Sequence, residues 1–357
     1  TQKGSHMINY INHDQLKRSL LLLWKAKIPA CIVGGVGSGK TTAVEELVKT
    51  VNNKMDVDFN LWKIFLGLID ATEIGGIPYR NDDNKLDFMP PKCLPYNNED
   101  YGIIFGDEYD RAPSDVQNAF NQILLGGEIH GNKISPNSYV ILAMNGESDQ
   151  YTTPLSEAAR NRVCSLFLSS HAYGNLEQWN EWAISNDINE TIRAFANCRT
   201  DLIKKHEEFD ELAMITPRSR DMAGKILDAT TEVKFKTDDI ILPCLAGVIG
   251  NGAANELLAF QKIKDDLPDI NHMINNPDEY ENHEVFYKND LTYMLSVSIA
   301  SYCTKNKGKC GAAIKLMSHA PAEIQVFAVD NIIKSEPDAL VTKEYKRFFD
   351  KSKHLIV

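Results

Sequence analysis

The consecutive residues Gly34-Gly35-Val36-Gly37-Ser38-Gly39-Lys40-Thr41 carry the spacing G-x-x-x-x-G-K-[ST]. These residue types suit one task, the holding of a chain of phosphates. Glycines let the backbone turn several N–H groups inward at an anion. The apolar run Ala30–Val33 reads as a buried strand before the loop, and Thr42–Lys49 reads as the helix after it. Such a helix adds the positive end of its dipole to the same cradle. Residues Gly35, Val36, Gly37, Ser38, Gly39, Lys40, Thr41 and Thr42 are therefore the expected nucleotide-binding set. Lys40 would reach the β- and γ-phosphates, and the Thr41 hydroxyl would ligate magnesium. The loop reads phosphates only, so it leaves the base, adenine or guanine, open.

A second chemical pattern lies downstream. The run Tyr101-Gly102-Ile103-Ile104-Phe105-Gly106 ends in two acids, Asp107 and Glu108. A buried strand ending at the carboxyl edge of a parallel sheet would bring both beside the loop. Two acids are needed because the tasks conflict. A carboxylate spent on a metal is a poor base, so Asp107 is expected to hold magnesium and Glu108 to polarise the attacking water. The strand Tyr139–Met144 ends at Asn145, whose amide could hold a water near the γ-phosphate.

These groups need a scaffold, and the chain supplies its signals. Asp14–Lys27 carries Leu16, Leu20, Leu23 and Trp24 at helical spacing. Candidate strands are Ala30–Val33, Trp62–Leu66, Gly102–Gly106, Tyr139–Met144 and Cys164–Leu168. Strand and helix signals alternate through about residue 170, as an α/β sheet domain requires. A helix starting at Pro113 or Ser114 places Val116, Ala119, Phe120, Ile123 and Leu124 inward, and the residues around Glu128–Lys133 read as a hairpin. Asn81–Asn98 is a long polar insertion. Beyond about Asn175 the reading is mainly helical, over Leu176–Ser185, Ile188–His206, Ser219–Ala229 and Ala253–Ile263. Asp265–His283 is acidic and polar, with Leu-Pro and Asn-Pro breaks, and reads as a linker or irregular segment. A final helical region covers about Asn289–Phe349.

Composition sets outer bounds. The chain has 357 residues, enough for two domains or one with a large appendage. A hydrophobic share of 43% and a charged share of 24% fit a globular protein. The net charge of −11 disfavours non-specific binding of nucleic acid by the whole surface. The odd count of 7 cysteines, without CxxC pairs, suggests reduced thiols and a cytoplasmic setting. Cys303 and Cys310 lack the further ligands a zinc site needs. Ser19–Trp24 and Ile240–Ile249 are both too short to span a bilayer. Thr1–His6 reads as an expression scar, with Met7 as the native start.

Taken in order, GGVGSGKTT, GIIFGDEYDRAPSDVQNAFNQIL, the hairpin, VILAMNGES, LSEAARNRV and ITPRS resemble the MoxR-like branch of the AAA+ ATPases. The segment Asp70–Pro78 is similar to that branch at its insertion in the second helix. The resemblance spans about Ile28–Ala229, is looser over Gly247–Ile263, and stops by about residue 300. Two positions depart from the pattern. Asp110 stands where the branch usually has Asn, and Gly146 follows Asn145 where Pro is usual.

The resemblance implies an AAA+ P-loop core, a parallel five-stranded sheet between helices, followed by an all-α lid and a C-terminal helical region. The expected divisions are 7–172, 173–265 and 266–357. It also implies roles. Asn145 would be the first sensor and Arg218 the second. The segment Leu155–Val163 would carry an arginine finger, Arg162 before Arg160, with Arg111 as a further intersubunit or helix-orienting arginine. The implied activity is ATP hydrolysis with magnesium in a homo-oligomeric ring, a hexamer by the family's habit, that remodels a protein client. A von Willebrand A-domain partner is implied by resemblance alone. The alternatives are a nucleic-acid-stimulated motor or restriction-type NTPase, and a nucleotide-gated scaffold with slow hydrolysis. Nucleic acid and membrane are not expected partners.

Overall fold

A computed structural model describes residues 9–54, 58–145, 155–169, 176–204, 215–232 and 238–352. The chain divides into two compact units, Thr1–Ser170 and His171–Val357.

The first unit is built on a parallel sheet of six strands. In chain order they are β1 (Tyr10–Ile11), β2 (Ala30–Val33), β3 (Phe59–Phe65), β6 (Tyr101–Asp107), β9 (Ser138–Met144) and β10 (Cys164–Leu168). Across the sheet they lie in the order β1-β10-β2-β9-β6-β3. The five expected strands are all present, and the two-residue β1 adds an edge strand beside β10. Four helices sandwich the sheet: α1 (His13–Ala26), α2 (Lys40–Asn52), α3 (Ala71–Gly75) and α4 (Ser114–Gly126). Alternate residues of each strand point to opposite faces, which assigns the helices. Ala30, Ile32, Ile103, Phe105, Ile141 and Ala143 pack with Leu16 and Leu20 of α1 and Ala43, Val44 and Leu47 of α2. Cys31, Ile104 and Leu142 pack on the other face with Ile74 of α3 and Val116, Phe120 and Ile123 of α4. A short helix α5 (Glu157–Arg160) leads into β10.

Two hairpins project from this core. β4 (Ile77–Arg80) and β5 (Leu86–Met89) pair antiparallel, so the segment read as a polar insertion contributes a strand. β7 (Glu128–Ile129) and β8 (Asn132–Lys133) form the expected second hairpin. Its tip residues His130 (φ 48) and Gly131 (φ 83) are both left-handed, as a two-residue turn between twisted strands requires. The hairpins touch. Phe88 stacks on His130 with ring centroids 4.1 Å apart, and Asn132 Nδ2 donates to the Phe88 carbonyl at 3.1 Å.

The second unit is helical: α6 (Leu176–Ser185), α7 (Glu190–Cys198), α8 (Thr200–Lys204), α9 (Pro217–Glu232), α10 (Asp238–Ile249), α11 (Asn251–Ile263), α12 (Ile270–Asn275), α13 (Asn289–Lys305), α14 (Cys310–Met317), α15 (Ala322–Ser335) and α16 (Lys343–Ser352). One cluster gathers Ile192 and Phe195, Leu227, Leu245, and Leu257 and Phe260. A second gathers Leu295 and Ile299, Ile314, Ile324 and Ile332, and Phe348. The linker expected over Asp265–His283 is replaced by α12 and short 3-10 turns, with Met273 and Ile274 fully inside the second cluster. The proline breaks at its ends mark helix boundaries rather than an open connection. The single helix expected over Ile188–His206 divides into α7 and α8 at Arg199, and residues 205–206 lie outside the described segments.

Candidate nucleotide-phosphate site

β2 ends at Val33, and α2 begins at Lys40. Gly37 (φ 68) and Gly39 (φ 85) let the intervening loop fold back on itself. Lys40 is nearly buried and its ammonium turns into the loop. It donates to the Gly34 carbonyl at 2.8 Å, the Gly35 carbonyl at 3.0 Å and Asn145 Oδ1 at 2.9 Å. The Thr41 hydroxyl donates to Asp107 Oδ2 at 2.7 Å. The parallel register explains these meetings. β2, β9 and β6 are neighbours, so the loop, Asn145 and Asp107 all emerge at one edge of the sheet.

Glu108 follows Asp107 in a left-handed conformation (φ 55), which turns the chain sharply out of the strand. Its side chain is half-buried beside Gly67. A methyl group at Gly67 would lie 3.4 Å from Glu108 Oε2 and 3.2 Å from Arg111 Cβ. Asp110 is fully buried, and its Oδ2 accepts the Asn145 N–H at 2.9 Å. Burial raises the Asp110 carboxyl above the ordinary carboxylate range, against the pull of Asn145, Lys40 and Arg111. Burial, helped by the charge of Asp110, pushes the neighbouring Cys31 thiol up to about 12, so it stays a thiol.

The structure thus brings Lys40, Thr41, Asp107 and Asn145 within hydrogen-bond reach, with Glu108 next in the chain. Of the remaining loop residues, Ser38 is buried while Val36 is exposed. Thr42 lies in the first turn of α2 and is half-buried. Arg160 and Arg162 stand on the surface at α5. Their described hydrogen bonds go to carbonyls of their own segment, Leu155 at 2.9 Å and Ala158 at 2.8 Å. Arg218 is exposed at the start of α9, in the second unit. Two positions on, Arg220 is buried with its guanidinium 4.5 Å over the Trp179 ring, and burial pulls it down to about 9.

One residue at the loop escaped the sequence reading. His13 Nε2 lies 2.7 Å from the Ser38 carbonyl oxygen. The available signal was the pattern Asn12-x-x-Gln15, which forms a capping box and starts α1 at His13.

No family model and no curated protein matches the chain. Solved structures do. A RuvB variant from Thermotoga maritima is 15% identical, with 96% of this chain and 89% of that one covered at a TM-score of 0.42. NtrX from Brucella abortus in complex with ATP is 14% identical, with 99% and 70% covered at a TM-score of 0.42. The deciding observation is internal. The phosphate-loop strand β2 and the acidic strand β6 are separated by β9, which carries Asn145, in one parallel sheet. The fold is a parallel P-loop α/β sheet between helices, the core that the resemblance to the AAA+ ATPases implies. In this unit the loop and Asp107 lie at the carboxyl edge of the sheet, with α2 presenting its N-terminus to the loop.

Proposed function

We propose that the chain is a ring-forming ATPase that spends hydrolysis on remodelling a protein partner. One observation carries the reading. Lys40, Asn145, Thr41 and Asp107 are joined by side-chain hydrogen bonds, so phosphate-, water- and metal-handling groups share one place.

The residues suit magnesium. Thr41 and Asp107 offer hard oxygen donors already 2.7 Å apart. Among the described residues no cluster of three His, Cys, Asp or Glu side chains could hold an ion alone, so phosphate oxygens and water would complete the shell. A magnesium ion held there would neutralise charge on the β- and γ-phosphates. The loop N–H groups and Lys40 bind the phosphate chain. Lys40 must leave its carbonyls and Asn145 to do so, and that exchange frees Asn145 Oδ1 to accept a hydrogen bond from water. Glu108 takes the proton of that water as it attacks. Arg162, exposed in the turn after α5, completes the site of a neighbouring copy, with Arg160 and Arg111 as further candidates. Arg218 would act as the lid arginine. The expected assembly is a hexamer and the expected base is adenine. The client is a protein, with a von Willebrand A-domain protein as the first partner to test, in the cytoplasm.

Glu108→Gln keeps the shape of the site and removes the base. It is expected to bind ATP within about threefold of the parent while turnover falls by about 10²–10⁴. Turnover at the parent rate would overturn the mechanism. The same variant, loaded with ATP, is the bait that should retain the partner in a pull-down.

A further inference from the structure

We infer that His13 is a positioning residue of the phosphate loop, which sets the orientation of the Ser38–Gly39 peptide for binding a nucleotide's phosphate chain. The inference deepens the ATPase reading and rests on it. The Ser38 carbonyl can only accept, so the His13 Nε2, 2.7 Å away, carries the proton and donates. A trans peptide is planar, and its C=O and N–H point to opposite sides of the chain. A carbonyl held outward by His13 therefore aims the Gly39 N–H away from His13. Gly39 is the residue at the start of α2, where the backbone N–H groups face an anion. An amide already aimed costs no reorganisation when the anion arrives.

The surroundings hold the imidazole in place. β1 pairs with β10 in register, Tyr10 opposite Phe167 and Ile11 opposite Leu168. The Ser169 N–H donates to the Ile11 carbonyl at 3.0 Å. The reciprocal Asn12 and Gln15 bonds then start α1 at His13. The ring lies so close to the loop that a methyl group at Gly39 would come within 2.9 Å of Nε2. Glycine at 39 is thus required twice, by its φ of +85 and by His13.

The test compares three proteins at one pH: the parent, His13→Phe, which keeps a ring and removes the donor, and His13→Gln, which keeps a donor of similar reach. Binding of ATP and of inorganic triphosphate is measured by calorimetry, and turnover by phosphate release. His13→Phe is expected to weaken both ligands about tenfold and to raise KM alike, with kcat changed less than about twofold. His13→Gln is expected to return both affinities to within about threefold of the parent. Equal weakening of triphosphate and ATP places the effect at the phosphates rather than the base. Parent-like affinity in His13→Phe, or failure of His13→Gln to recover, overturns the inference. Failure of the parent itself to bind either ligand would sink the ATPase reading instead. Thermal melting without ligand accompanies each protein. Should His13→Phe not fold, His13→Leu, which fills the space without a donor, takes its place, and parent-like triphosphate affinity in a folded His13→Leu overturns the inference.

Discussion

Asp110 lies beside Asn145 with one carboxylate oxygen accepting the Asn145 N–H and the other without a hydrogen bond among the described residues. A buried, half-satisfied carboxylate is disfavoured in its charged form. Its folded value is raised, so the native state holds a proton that the unfolded chain has already lost. The stability associated with that proton is complete below the ordinary value of 3.8 and is lost as pH rises through the higher folded value. Asp110→Asn keeps an acceptor for Asn145 and removes the charge. It is expected to raise the urea midpoint at pH 7 and to flatten its fall from pH 4 upward. A steeper fall in the variant would show that the charge is stabilising. At this scale the motif residues were legible because their chemistry is local. Lys40 and Thr41 follow their glycines, and Asp107 and Glu108 end an apolar run. The burial of Asp110 and the reach of His13 depend on strands meeting from distant parts of the chain, which spacing along a sequence does not record.

The elements repeat that lesson with a different cause. β2 runs over the residues its apolar pattern predicts, because a strand buried on both faces reads as an unbroken apolar stretch. β5 hides in a stretch of Asn, Asp and Pro because both hairpin faces are largely exposed and need no apolar alternation. α10 contains Pro243, and α12 is only six residues long, so propensity argued against the first and length against the second. The join between α3 and the β4–β5 hairpin is set by Gly76, whose φ is +86 and whose missing methyl would strike the Met89 carbonyl. Gly127 at the end of α4 shares a left-handed φ of +64 but faces open space. The pair separates strain from collision. Gly127→Ala is expected to cost about 1 kcal/mol and Gly76→Ala about 3 kcal/mol or more in urea unfolding. Equal losses would mean the hairpin moves aside freely.

Across the whole molecule, two units each enclose their own apolar clusters. The first unit bears both the candidate phosphate site and the exposed Arg162. On the ring reading these serve different sites, and mixing exposes it. Arg162→Ala alone is expected to keep ATP binding and lose about 10³-fold or more in turnover. Mixed in equal amounts with Glu108→Gln before assembly, it should regain activity at roughly a quarter of the interfaces, those pairing an intact Glu108 with an intact Arg162. A mixture no more active than its parts would mean that the arginine works within its own chain. On the ring reading, with the phosphate loop and Arg162 carried on one unit, every copy would run one site and complete another. In a cell with one sound and one altered gene copy, most assemblies would contain some altered chains. The defect would therefore be inherited as dominant, although half of the protein made is normal.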